Sequence, residues 1–433
     1  MPRPIPPFRS TALATGLLLA FAPTAFAPTA GAQSMGCPTR SGTHISIHES
    51  GERRTLLIAD RARCLEVRSV GDVEFTDDDA DVRRLAPGGS LRVEETRDGV
   101  TRRVEFTERD GQVTRRFALD GSARDEAEGA SWLSTLLPQV ARESHIGAPA
   151  RATRLLGHRG AQGLLDEAAL IASDGVKRIY VTTLLEQGRP TAADLRAVAR
   201  FAQRSLSSDS DRSRVLRAVV EHRATDPAVV AAVVESARSI ASDSDKGRVL
   251  AAAVASPGAG PDTRAQVASA ARTIASDRTK GELLAAIAPG AGASETMRAA
   301  WIEGARTIAS DSERRRVLLA ALEPGAQADA LLSGPSGRDA LFDAVDGIAS
   351  DRDRAAVLRA LLRRDALPLP ALVATLRSAG RIASDREKAD VLMAASARRE
   401  TLTNEEVRRT FLQATRTIAS SSEYRRVMES VVR

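Results

Sequence analysis

Ile240-Ala241-Ser242-Asp243-Ser244-Asp245-Lys246-Gly247-Arg248-Val249-Leu250 is one copy of a segment that recurs through most of this 433-residue chain. Its Ser stands at Ser173, Ser208, Ser242, Ser276, Ser310, Ser350, Ser384 and Ser420, at intervals of 35, 34, 34, 34, 40, 34 and 36 residues. A period near 34 is the length of one helix–turn–helix unit, and units of that kind stack into an α-solenoid because none buries its apolar face alone.

Each Ser is suited to cap a helix, its hydroxyl accepting an orphan backbone N–H. An acid three residues on predicts a capping box in six units, at Asp211, Asp245, Glu313, Asp353, Glu387 and Glu423. Seven of the eight Ser are followed by Asp, which places negative charge at the positive end of the helix dipole. A Lys or Arg lies three residues after each of those Asp, for example Lys246 after Asp243. As a local i, i+3 pair this is worth a few tenths of a kcal/mol. Apolar residues 7, 8, 11 and 12 past the Ser, such as Val357-Leu358-Leu361-Leu362, form one helical stripe and are the expected core. Second helices are expected to start at Thr191 with Asp194, Asp226 with Pro227, and Thr403 with Glu406.

The ends of the array read as atypical units. Ala148 to Leu156 aligns with Ser242 to Leu250 without the Ser-Asp cap, and the segment after Ser420 has room for one capping helix. The 40-residue interval places six extra residues at Ser333-Gly334-Pro335-Ser336-Gly337, expected to bulge from one edge.

Residues 1–32 read as a secretory signal: Arg3 and Arg9 precede an apolar run from Ala12 to Ala22, and Ala30-Gly31-Ala32 offers a cleavage site. The run is too short to span a bilayer. An exported, periplasmic or extracellular chain is the expectation, and lipidation at Cys37 is disfavoured because Ser34-Met35-Gly36 lacks a Leu-rich approach. The two cysteines, Cys37 and Cys64, are then expected to form a disulfide.

From Cys37 to about Ala123 the periodicity alternates. Strands are expected at His44–His48, Thr55–Ala59, Cys64–Arg68, Ser90–Glu94, Arg103–Phe106 and Val113–Phe117, with hairpin turns at Asp98-Gly99 and Asp110-Gly111. A helix from Glu126 to Ser144, carrying Trp132, Leu133, Leu136 and Leu137, is placed to cover the apolar face. The predicted architecture is therefore α+β and multidomain. It joins a small, mostly antiparallel β domain (33–125), a connecting helix (126–147) and a right-handed α-solenoid (148–433).

Candidate chemistry is sparse. His44 and His48 share a strand face but no third ligand completes a metal set. Asp77-Asp78-Asp79-Ala80-Asp81 begins like a calcium loop, yet Val82 stands where Gly is needed and Gly88 where the bidentate Glu is needed, so a solvated turn is expected. Gly157 to Gly163 lacks the Lys-Ser/Thr of a phosphate loop and reads as a helix link. Five His in the chain and no nucleophile elbow argue against an enzyme, and no cofactor is expected. The formal charge of +6 is interleaved with acids and aromatics are only 3%, which argues against nucleic acid as a partner.

Ser242 to Leu250 and Ser384 to Leu392 resemble a bacterial group of exported or membrane-attached repeat proteins with a Ser-Asp-x-Glu-Lys-x-x-Val-Leu core, described as HEAT-like or tetratricopeptide-like solenoids. The tetratricopeptide signature of Trp, Tyr, Phe and Pro is absent here. Similar repeats stand beside the extracytoplasmic regions of sensor-type metallopeptidases, but His48-Glu49 is followed by Glu52 where the second metal-binding His would be required. The resemblance covers residues 145–433 and implies a scaffold without active-site residues. The expected function is an exported, non-enzymatic scaffold that binds an envelope protein or peptide through the solenoid. The alternative is an envelope ligand- or polymer-binding accessory with its site in the β domain.

Overall fold

The computed structural model describes residues 44–222, 225–323 and 326–432. The expected export signal and Cys37 lie outside the described residues. Seven strands form one antiparallel sheet in the order β1-β2-β3-β6-β7-β8-β9: β1 (His44–Ser50), β2 (Arg53–Ala59), β3 (Arg63–Val70), β6 (Ser90–Arg97), β7 (Val100–Arg109), β8 (Gln112–Leu119) and β9 (Ser122–Arg124). Between β3 and β6 the chain leaves the sheet to make a separate hairpin of β4 (Val73–Phe75) and β5 (Val82–Leu85).

All six expected strands are present. Asp98-Gly99 and Asp110-Gly111 turn their hairpins with positive φ at both residues, as does Asp120-Gly121, which the sequence reading passed over. Alternation then sorts the sheet. Leu56, Ile58, Leu65, Val67, Leu91, Val93, Val104 and Phe106 point to one buried face. Glu66, Arg68, Arg92, Glu94 and Arg103 lie on the other, tied by ion pairs such as Arg103 Nε to Glu94. Helix α1 (Glu126–Glu143) covers the apolar face with Leu133, Leu136, Leu137 and Val140. The indole N–H of Trp132 anchors it by donating to Glu95 Oε2 at 2.7 Å.

Helix α2 (Ala148–Ala169) is the divergent first unit, bent at Gly160 where φ is 65°. The Gly157–Gly163 segment is thus a link inside one helical element. Gly147 takes the cap position, one residue earlier than the alignment with Ser242 assigns. Its φ is +70°, and a Cβ there would meet the Val73 carbonyl at 2.8 Å, so the close approach of β4 requires glycine.

Eight units follow, each opened by one of the recurring Ser. Unit 1 pairs α3 (Asp174–Gln187) with α4 (Ala192–Ser205); unit 2, α5 (Asp209–Glu221) with α6 (Pro227–Ala237). Unit 3 pairs α7 (Asp243–Ala255) with α8 (Pro261–Ala271), and unit 4 pairs α9 (Asp277–Ile287) with α10 (Glu295–Arg306). Unit 5 holds three helices: α11 (Asp311–Ala321), α12 (Ala326–Ser333) and α13 (Pro335–Asp346). Unit 6 pairs α14 (Asp351–Leu362) with α15 (Leu369–Gly380). Unit 7 runs α16 (Asp385–Ser396), the short α17 (Arg399–Thr403) and α18 (Glu405–Thr415), and unit 8 is α19 (Ser421–Val432) alone.

First helices pack on first helices and second on second, giving the two layers of an α-solenoid. The +7, +8, +11 and +12 stripe is buried as expected, including Tyr180, Val181, Leu184 and Leu185, except that Val254, Met428 and Val431 are half-buried. Two expectations are corrected. The extra residues of unit 5 do not bulge at 333–337. They add α12, which buries Leu331 and Leu332, while Pro335 starts α13 because its missing N–H costs nothing at a first turn. The second helix of unit 7 is capped by Asn404, whose Oδ1 accepts the Val407 N–H, and not by Thr403.

Candidate functional site

The recurring segment is where the fold concentrates its polar chemistry. Ser173, Ser208, Ser242, Ser276, Ser310, Ser350, Ser384 and Ser420 each accept, through Oγ, the backbone N–H three residues on, at 3.2–3.5 Å. The reciprocal half of a capping box is made at Thr191 and Asp194. In seven of the Ser units the cap N–H goes elsewhere, to the Asp one repeat earlier.

Asp174 accepts from Ser208, Asp209 from Ser242, Asp243 from Ser276 and Asp277 from Ser310, at 2.6–2.8 Å. The series continues from Asp311 to Ser350, Asp351 to Ser384 and Asp385 to Ser420, each at 2.7 Å. The first six Asp also accept the amide just before that Ser, as Asp351 does from Ala383 at 3.1 Å. The sequence reading of this Asp as a local dipole and i, i+3 partner is therefore incomplete, because its carboxylate joins neighbouring units.

The basic residue three positions on works on the other side of the same loop. Lys177 Nζ donates to the Ser205 carbonyl at 2.5 Å, Arg212 to Ser239, Lys280 to Thr307, Arg314 to Gly347, Arg354 to Arg381 and Lys388 to Thr417. Lys246 reaches the Thr273 hydroxyl at 3.0 Å. All seven acceptors lie three residues before the next unit's Ser. So an anion meets the amide end of one incoming helix while a cation meets the carbonyl end of another, each sign matched to its dipole.

The Asp carboxylates are half-buried and the Lys ammoniums buried. Lys246, Lys280 and Lys388 are 4–5% exposed, so each ammonium needs its acceptor to offset desolvation. Burial would raise the Asp174 carboxyl, but the Ser208 N–H, the Lys177 ammonium and the Ser207 N–H outweigh it and hold the group below its ordinary range.

The ladder has defined ends. At its start Glu143, the last residue of α1, accepts the Ala172 N–H, the amide just before Ser173, at 2.9 Å and so makes one of the two bonds that Asp makes in later units. At its finish both clamp positions change together, to Ser421 and Tyr424.

A second cluster joins the two domains. Asp79, at the tip of the β4–β5 hairpin with φ 60°, is only 7% exposed and takes Arg151 Nε at 2.6 Å and Arg154 Nη2. Arg151 also donates to the Tyr180 hydroxyl at 2.6 Å and to Glu167 at 2.8 Å, and Glu167 accepts Arg142. Burial opposes charge on Glu167, but Arg151 and Arg142 hold its carboxyl below the usual carboxylate range. Burial pushes the Tyr180 phenol up. Within the acidic turn Asp79 is thus a buried ion lock, while Asp77 and Asp78 are exposed as expected of a solvated turn. No sequence signal pairs Asp79 with an Arg 72 residues away.

Beside this lock a cleft of about 440 Å³ opens between the hairpin and α2, lined by Arg54, Asp72, Glu74, Arg84, Leu85 and Pro149. His44 and His48 sit in β1 opposite Ala59 and Thr55, and no group of three metal-ligating side chains occurs among the described residues. Cys64 lies in β3 opposite Thr96 of β6, and its expected partner Cys37 is outside the described residues. None of the described helices is long and apolar enough to cross a membrane.

Comparison with known protein families finds no match, and neither does comparison with curated proteins. Among solved structures, one described as "Computational Design of Self-Assembling Cyclic Protein Homooligomers" aligns at 12% identity. The alignment covers 66% of this chain and 90% of that one, with a TM-score of 0.13, too low to support any argument about this chain.

Proposed function

We propose that the chain is an exported, non-enzymatic scaffold that holds a protein or peptide partner on the outer surface of its first-helix layer. One observation carries this reading. Nine and ten residues past the Ser, the first helices of units 3, 4, 5 and 7 present small or apolar, partly exposed side chains: Ala251 and Ala252, Ala285 and Ala286, Leu319 and Ala320, Met393 and Ala394, with Arg217 and Arg359 at the first of these positions in units 2 and 6. Charged residues such as Arg248, Glu282 and Arg316 flank this band. A low, apolar strip with a charged rim loses little side-chain entropy when covered, and the Asp and Lys/Arg ladder keeps it rigid before a partner arrives. The resemblance to bacterial exported repeat proteins agrees with this role.

The mature chain (33–433) immobilised in an envelope extract is expected to retain a specific protein. Ala251→Glu with Ala286→Glu, both at exposed positions, is expected to abolish retention while leaving the melting temperature unchanged. Equal retention by that variant would remove the solenoid band from consideration. The second reading, a ligand site in the β domain, rests on the cleft beside α2, and retention of a polymer or small ligand that depends on Arg54 and Arg84 would favour it.

A further inference from the structure

We propose that the edge of the solenoid formed by its Ile-Ala-Ser loops binds an extended, acidic polypeptide segment, on a surface separate from the first-helix band. Along the sequence the two signs of charge are interleaved, but stacking sorts them. Second helices end on this edge at Arg204, Arg238, Arg272, Arg306 and Arg416, each four residues before the next Ser and each exposed. A cation at a helix C-terminus suits the dipole, so that row has a structural use. Arg278, Arg352 and Arg386 do not share it. They are exposed two residues after their Ser, in the first turns of α9, α14 and α16, where the dipole opposes a cation.

Little in the same loops neutralises these rows. The seven clamp Asp are matched one for one by the Lys or Arg three residues after each. The remaining acid from four residues before the Ser to two after it is Asp346, which already accepts Ser378 and Arg381. Arg238, Arg278 and Arg306 have Glu235, Glu282 and Glu303 beside them. Arg204, Arg272, Arg352, Arg386 and Arg416 make no side-chain hydrogen bond or ion pair among the described residues.

Spacing and relief point to a polypeptide. Neighbouring helices of one layer stack about 8–10 Å apart, close to three residues of an extended chain at about 3.3 Å each. Acids at every third position then meet successive loops, and a guanidinium fork pairs with a carboxylate through two parallel hydrogen bonds. Between the Arg rows the exposed residue is the Ala of each motif, such as Ala275, Ala309 and Ala349, which lets a backbone approach. No Phe, Tyr or Trp stands in these loops, so bases find no ring to stack on. The cations follow a line of loops, the shape of a chain and not of a bilayer.

Fluorescence anisotropy of a labelled peptide of about 15 residues with Glu at every third position, titrated with the mature chain, tests this. Micromolar binding that weakens with added salt is expected, and the same peptide with Gln for Glu should not bind. Arg272→Glu, Arg352→Glu and Arg386→Glu together should weaken binding by about tenfold or more with an unchanged melting temperature. The same charge change on the opposite edge, Arg189→Glu with Arg363→Glu and Arg399→Glu, should leave it unaltered. No binding up to about 100 µM overturns the proposal, as does an equal loss from the opposite-edge variant. Capture by phosphatidylglycerol vesicles that depends on the same Arg, without binding of the peptide, overturns it in favour of a lipid surface.

Discussion

The carboxylate of Asp351 sits one residue past the cap of its own helix but accepts the amides of Ala383 and Ser384, one unit further along. Ser384, by contrast, accepts only the Glu387 N–H within its own helix. The two residues are adjacent in role yet unequal in consequence. Removing Ser384 Oγ exposes one orphan donor, whereas removing Asp351 strands two amides at the interface between units. In equilibrium urea unfolding, Ser384→Ala is expected to cost about 1 kcal/mol and Asp351→Ala about 2 kcal/mol, with Asp351→Asn between them because its amide oxygen still accepts. If Asp351→Ala proved no worse than a change at the exposed neighbour Arg352, the ladder would be a geometric coincidence without energetic weight.

At the level of whole helices, the same substitution has opposite meaning according to its place in the array. Asp385 bridges unit 7 to Ser420, so Asp385→Ser breaks a bond between α16 and the loop that starts α19. Ser421 occupies the same position one unit later, and no loop among the described residues follows α19. Thermal melts should show Asp385→Ser lowering stability by about 1.5 kcal/mol. Ser421→Asp should gain no more than about 0.5 kcal/mol, the effect of added charge at a helix N-terminus. A large gain from Ser421→Asp would mean that the Asp acts through its own helix after all. Helix α12 makes a related point: an inserted stretch between two ladder positions was accommodated as a helix, and the clamp from Asp311 to Ser350 closed over it at 2.7 Å.

Across the whole molecule, the β domain acts as the first cap of the solenoid. It supplies Asp79 to Arg151 and Arg154, and α1 supplies Glu143 to unit 1. The two tryptophans report on the two bodies: Trp132 sits between α1 and the sheet, and Trp301 is buried in α10. Asp79→Ala leaves two guanidiniums short of a counter-ion in a buried site and is expected to cost about 3 kcal/mol. In a Trp301→Phe background, Trp132 fluorescence and far-ultraviolet circular dichroism should unfold together with Asp79 present and separate when it is replaced. Coincident curves in both proteins would show that the lock does not couple the domains.

How much of this was legible without coordinates follows from the range of the interactions concerned. The 34-residue period, the Ser caps, the apolar stripe and the Asp-Gly hairpins depend on residues a few positions apart, so local chemistry in the sequence determined the solenoid and the sheet. The Asp and Lys/Arg clamps were visible as a pattern, seven units alike and the eighth changed at both positions, but their partners lie a full repeat away. Only stacking brings Asp351 against Ser384, or Asp79 against Arg151. The tertiary structure decided these contacts because the groups that satisfy a buried charge need not be neighbours in the chain; they need only arrive at the same place once water has been excluded.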